Sequence, residues 1–223
     1  MSRLCVVEAV YVGSVGALPL ESRPTAIVKR AVAGRVALGP LGLAGDEHGD
    51  PRVHGGPDKA LHLFPAEHHA RLAAAFPAAR HLAPGGLGAN VSTHGLDEAD
   101  VCLGDRYAIS TAVVEVSQPR SPCWKIDART GVEGVAAYVA MHGCTGWYFR
   151  VVQAGKIGAG DAIARVARPD GAVTLADYWR VVQMPRPPLA ELARVAAAPG
   201  LSADTRTQWL DRLARLAALG DQP

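Results

Sequence analysis

Tyr107-Ala-Ile-Ser-Thr-Ala-Val-Val-Glu-Val116-Ser-Gln-Pro-Arg-Ser-Pro-Cys123-Trp-Lys125 holds two short apolar runs followed by a proline-punctuated, cationic turn. Tyr107 to Ile109 and Ala112 to Val116 read as strands, because β-branched and aromatic residues suit a pleated, half-buried surface. Pro119 and Pro122 end the second strand and fix two φ angles, so the loop beyond keeps its shape before any ligand arrives. In that loop Arg120 and Lys125 flank Cys123 and favour thiolate over thiol, the form that attacks or ligates a metal. Two readings of Cys123 stay open on local context: a reactive site, or a buried structural thiol of the kind most free cysteines are.

Outward from this stretch the pattern repeats. Cys5 to Val12, Thr25 to Lys29, Arg35 to Leu38, Leu61 to Phe64, Trp147 to Val152 and Ala162 to Val166 read as further short strands between Gly and Pro breaks. Frequent short strands without regular helical crossovers predict a closed or partly closed, twisted β-barrel, an α+β fold that is mainly β. Pro65 to Ala75 and Val132 to Met141 read as peripheral helices, the first with Pro and Glu at its start and the second ending before Gly143. The barrel domain is placed at residues 1–169.

From residue 170 the chain changes character. Thr174-Leu-Ala-Asp177 is a capping-box-like start for a helix through Gln183, with Asp in place of the usual Glu. Pro185, Pro187 and Pro188 break the chain before a second helix to Ala197. Ser202 is suited to cap a third, in which Trp209, Leu213 and Leu216 recur at helical spacing. Residues 170–223 are therefore expected to form a three-helix domain whose aromatic and leucine stripes are core contacts.

A chain of 223 residues is long enough for one full domain with an appendage, and its 20% charged content fits a soluble globular protein. The net charge of +2, without a basic block, gives no argument for nucleic acid or an acidic membrane. Cys5, Cys102, Cys123 and Cys144 are scattered without CxxC spacing, which points to reduced thiols. No apolar run approaches the roughly 20 residues that span a bilayer, and the start lacks a signal-peptide pattern. The cytoplasm is the expected location.

A second concentration of unusual residues is Gly45-Asp-Glu-His-Gly-Asp-Pro-Arg-Val-His-Gly-Gly-Pro-Asp-Lys-Ala60. It is too polar and Gly-rich for core; a surface turn using Gly and Pro for its geometry is one reading, and a loop this long and charged with a task is the favoured one. His54 before Gly55-Gly56 lets backbone approach a ligand closely while an imidazole supplies a donor or a ligand atom. His48, His54, His62, His68 and His69 make no HExxH pattern, which argues against zinc. His68 and His69 are expected as ordinary, partly exposed helix residues. Pro84-Gly-Gly-Leu-Gly-Ala-Asn90 lacks the strand-turn-helix context of a dinucleotide fingerprint but can line an anion with N–H groups, with Asn90 adding an amide. No GxSxG elbow is present.

Together, Thr25-Ala-Ile-Val-Lys29, Gly42-Leu-Ala-Gly-Asp46, Val53-His-Gly-Gly-Pro-Asp-Lys-Ala60, Gly88-Ala-Asn-Val-Ser92 and Ser117-Gln-Pro-Arg-Ser-Pro-Cys123 resemble the MOSC domain family, named for the molybdenum cofactor sulfurase C-terminal domain. The resemblance runs from about Val6 to Arg168 and is closest to the stand-alone hydroxylaminopurine-resistance branch of the YiiM type, which also carries a helical tail. It implies a barrel holding a molybdopterin-type molybdenum cofactor, with Cys123 as the protein thiolate on the metal. The cofactor is anionic, so Lys29, Arg52, Arg120 and Lys125 are electrostatically suited to it. By similarity Lys29 and His54 cluster with Cys123 as catalytic residues, and Gly55, Gly56, Asn90, Ser117 and Ser121 are contacts; Thr25 reads as a structural strand residue.

The implied reaction is reduction of small N-hydroxylated substrates such as 6-hydroxylaminopurine, with His54 or Lys29 donating a proton. The chain has no flavin, haem or iron–sulfur motif, so separate reductase proteins are the expected electron donors. A sulfur carrier or transferase using a Cys123 persulfide, and a non-catalytic cofactor carrier, are the alternatives. Three roles stay open for the tail: pairing two chains as a homodimer, docking a reductase, or shielding the pocket.

Overall fold

The computed structural model describes residues 5–18, 21–50 and 53–220. In chain order the elements are β1 (Cys5–Val12), β2 (Gly16–Leu18), β3 (Glu21–Thr25), β4 (Arg30–Ala31), β5 (Val36–Gly39), β6 (Gly42–Leu43), β7 (Leu61–Pro65), α1 (Glu67–Ala75) and β8 (Val91–Thr93). They continue with β9 (Arg106–Ile109), β10 (Ala112–Pro119), α2 (Lys125–Thr130), α3 (Val135–Met141), β11 (Trp147–Gln153), β12 (Gly155–Ile157), β13 (Ala162–Ala167), α4 (Leu175–Gln183), α5 (Leu189–Ala196) and α6 (Ala203–Gly220).

Seven strands close into a barrel in the order β1-β8-β7-β11-β10-β9-β13, and β13 returns to β1 through Cys5↔Ile163 and Val6↔Ala162. All its pairings are antiparallel except β7–β8. The expected mainly-β barrel is therefore the observed one. β7 shows how sequence sets its wall: Leu61 and Leu63 point into the barrel cluster, while Phe64 points outward to a second cluster with Leu72, Ile126 and Val139. Both faces are covered, so all five residues are buried and period-2 alternation is hidden. Barrel and tail share one core, since Tyr178, Val181, Leu192 and Val195 join the same cluster, and Trp209, Leu213 and Leu216 pack against it.

Several local expectations need correction. The strand over Thr25 to Lys29 does not form; β3 stops at Thr25, whose hydroxyl accepts from Ile27 N and turns the chain locally. β10 runs past Val116 to Pro119, because Gln118 and Pro119 still pair with Tyr148 and Trp147 after a bulge. The helix expected from Pro65 begins at Glu67, and the one expected from Val132 begins at Val135 after a left-handed Gly134. Helix α2 was missed, being too short for a periodic signal. His69 is buried rather than partly exposed, tilted against Phe64, and His68 is tied to Glu98 at 2.7 Å. Thr174 does cap α4, accepting from Asp177 N at 3.0 Å.

Candidate functional site

Four loop segments wall an open-mouthed cleft of about 600 Å³, mouth included. They are the stretch after β3, the long connection from β6 to β7, the Gly-rich approach to β8 and the turn after β10. The long connection brings His54, Gly55 and Lys59, and the turn after β10 brings Arg120, Cys123 and Lys125. The stretch after β3 can lie this close because Gly13 carries no side chain: a Cβ there would sit 2.7 Å from Ala26 O and 2.8 Å from Val28 O. Gly55 has a similar duty, with φ of 79° and no room for a Cβ against the His48 ring at 2.7 Å.

Lys29 does not stand free in the cleft. Its ammonium is 2.5 Å from Asp46 Oδ1, with 6% and 2% of the two side chains exposed. Asp46 also accepts from Gly13 N at 2.7 Å and from Asn90 Nδ2 at 2.8 Å, so one carboxylate organises three segments. Burial lowers the Lys29 pKa, and Asp46 opposes that shift. Asn90 is spent on structure, since its Oδ1 accepts from His62 N and its Nδ2 also donates to Tyr11 O.

Arg120 and Lys125 are treated differently. Both are more than nine-tenths buried, and neither meets a carboxylate among the described residues. Arg120 Nη2 donates to Leu87 O at 3.2 Å while Nη1 has no partner. Lys125 donates to Pro24 O at 3.2 Å and Lys59 to Val53 O at 2.7 Å. Counting Asp46 and Glu47 against Lys29, Lys59, Arg120 and Lys125, the lining carries a net charge of +2. That field marks the imidazoles. Burial first, then Lys125, Arg120 and Lys59, pull His54 down to about 4, and burial with Arg120 takes His62 to about 3.

Cys123 is a free thiol, partly exposed on the cleft wall, whereas Cys5, Cys102 and Cys144 are buried. The structure thus brings Lys29, His54, Gly55, Asn90, Arg120 and Cys123 to one cleft, with Thr25 beside them. Gly56 and Ser121 line a neighbouring groove instead. Ser117 lies in neither, because its hydroxyl is turned onto Asp58 O and Tyr148 O. Arg52 lies outside the described residues. Sequence reasoning gave no role to Asp46, Lys59, His62 or Tyr148. The first two sit inside motif strings already singled out, while His62 and Tyr148 are outward residues of strands β7 and β11.

Residues 50–164 match the model of the MOSC domain. The chain belongs to the MOSC domain family. Protein YiiM of Escherichia coli (strain K12) is 41% identical to it over 161 residues, 71% of either chain. A protein called Reductase from Gibberella moniliformis (strain M3125 / FGSC 7600) is 32% identical over 78% of this chain but only 31% of its own length. Among solved structures, YiiM from Geobacillus stearothermophilus superposes with a TM-score of 0.79 at 32% identity, covering 94% of this chain and 99% of that one. The matched MOSC region contains His54, Gly55, Asn90, Arg120 and Cys123, while Lys29 and Asp46 lie before it. Chemically, this MOSC cleft offers an accessible thiol, two buried cations without counter-ions, a neutral imidazole and a lysine acidified by burial.

Proposed function

We propose that the chain is a molybdenum-cofactor-dependent reductase of small N-hydroxylated compounds, such as 6-hydroxylaminopurine, with Cys123 as the protein ligand to the metal. The observation that carries the reading is the buried guanidinium of Arg120, with no hydrogen bond at Nη1 and no carboxylate beside it among the described residues, next to Lys125 in the cleft that Cys123 lines. A buried cation without a counter-ion is costly unless an anion completes it. A phosphate-bearing pterin dithiolene supplies that charge, and a soft thiolate suits its metal. The name Reductase on one relative supports the same class of reaction.

On this reading Cys123 Sγ holds the metal, and Arg120, Lys125 and Lys59 hold the anionic groups. When bound, the cofactor supplies the two-electron chemistry that cleaves the N–O bond. The reaction consumes two electrons and two protons and yields the amine and water, the electrons coming from separate donor proteins. His54, neutral at pH 7, accepts or orients a hydrogen bond and holds no proton to give until an anion raises its pKa. Lys29 is the acid: its burial favours release of a proton, and Asp46 fixes where its ammonium sits.

The test is purification from a host that makes the cofactor, followed by metal analysis and turnover of 6-hydroxylaminopurine with a chemical electron source. One molybdenum per chain and conversion to adenine are expected. Metal-free protein that carries a persulfide on Cys123 would instead make it a sulfur transferase.

A further inference from the structure

A second cavity adjoins the cationic cleft and is built largely by the tail. It lies between the loop Val53 to Lys59, the end of β10, and helices α4 and α6, and it shares Gly55 and Lys59 with the cleft. Its chemistry is the reverse of its neighbour's. Its charged lining consists of Asp58, Asp204 and Lys59, so it offers an anion no net attraction. Aromatic surface comes from Tyr178, Trp179 and Trp209. Both indole N–H groups are tied back, Trp179 to Thr145 Oγ1 at 3.1 Å and Trp209 to Tyr178 OH at 2.9 Å. What the indoles leave for a ligand is apolar surface.

One polar group does face this space without a partner. Gln118 is only 9% exposed and lines the groove. Its Oε1 accepts from Ser202 Oγ at 2.7 Å and from Thr205 Oγ1 at 3.3 Å, which fixes the orientation of the amide. Its NH2 makes no hydrogen bond among the described residues. This donor is held in place yet stays accessible from the groove, where a ligand acceptor takes the position of water. Aromatic surface from Trp179 and Trp209, a fixed amide donor and a lining without net positive charge suit an uncharged, planar nitrogen heterocycle.

We infer that this groove is a binding site for a neutral purine-like base, held by the Gln118 amide and the tail aromatics beside the cleft. It rests on the functional reading above only in making that base the substrate's. The helical tail thereby becomes the element that recognises the ring, while the barrel loops hold the anion.

The experiment titrates the full-length, cofactor-free protein with adenine, read by quenching of tryptophan emission and by calorimetry. Saturable binding is expected, and Gln118→Glu weakens it at least tenfold, because the variant keeps an oxygen for Ser202 and Thr205 but loses the donor. Cys123→Ala leaves the binding unchanged. In the wild type, photolabelling with 8-azidoadenine marks peptides from α4 or α6, a readout independent of any variant's folding. No saturable binding, binding that Gln118→Glu leaves intact, or label confined to the stretches 24–29 and 44–49 overturns the inference. Failure of the functional reading looks different: molybdenum is absent while adenine still binds.

Discussion

Arg168 lies at the surface beside the β9–β13 wall, whereas Arg120 is buried at the cleft. Arg168 forks onto Asp105 at 2.7 and 2.6 Å, and Asp105, fully buried, also accepts from Cys102 N at 2.9 Å. Arg120 keeps one carbonyl contact and a bare Nη1. The first arrangement is closed: every charge has its counterpart within the chain, and the Arg168 pKa is raised by its bond to Asp105. The second is open, and on the function proposed above its missing counterpart is a ligand. A region that stabilises the fold and a region held ready for binding are thus told apart by whether the chain completes its own charges.

The largest expected effect falls on the open region. On the proposed function, Cys123→Ala takes molybdenum from about one atom per chain to none, with the melting temperature unchanged, since the thiol is only partly buried. Metal content by mass spectrometry and a thermal scan check both parts. Next is the closed region: Asp105→Ala leaves the buried Cys102 N–H without its acceptor and costs about 1–3 kcal/mol, lowering Tm by roughly 2–12 °C. Arg120→Met does the opposite, leaving Tm unchanged or higher while weakening inorganic phosphate binding about tenfold, by calorimetry. A loss of stability from Arg120→Met as large as that from Asp105→Ala would erase the contrast.

A smaller effect concerns protons. Burial holds His62 at about 3 and His69 at about 4, both neutral in the native state, while the unfolded chain protonates them near 6.5. The unfolded state therefore binds more protons, and stability is lost as pH falls from about 6.5 toward 4. Neither His69 ring nitrogen makes a well-formed hydrogen bond, so His69→Leu flattens this acid limb in denaturant titrations at a series of pH values. In the cleft, NMR titration of His54 gives a pKa near 4 that rises when phosphate binds. Smallest of all, Cys5, Cys102 and Cys144 changed singly to Ala preserve turnover. Iodoacetamide then labels one site on the native protein, Cys123, because burial pushes Cys144 up to about 11 and raises Cys102 as well.

The barrel was legible because strands such as Cys5 to Val12 show their burial in local alternation until a bulge resets it between Val7 and Ala9. The end of β10 was not. Ser117 and Gln118 look like loop residues until Asp58 O takes the Ser117 hydroxyl and Ser202 and Thr205, far along the chain, hold the Gln118 Oε1. Cys123, His54, Arg120 and Lys29 were expected together because the strings that hold them resemble one family, and they line one cleft. Asp46 escaped because nothing near it announces that it will meet Lys29, Asn90 and Gly13 at once. Composition reveals which groups are unusual; only long-range pairing reveals which of them are already satisfied.

The seam where Cys5 meets Ile163 has a kinetic consequence. A nascent chain cannot seal its barrel until residue 163 has left the ribosome, so one edge of the amino-terminal strand stays open through most of synthesis. Refolding from denaturant, governed by the same distant encounter, is expected on a millisecond-to-second timescale and not in microseconds.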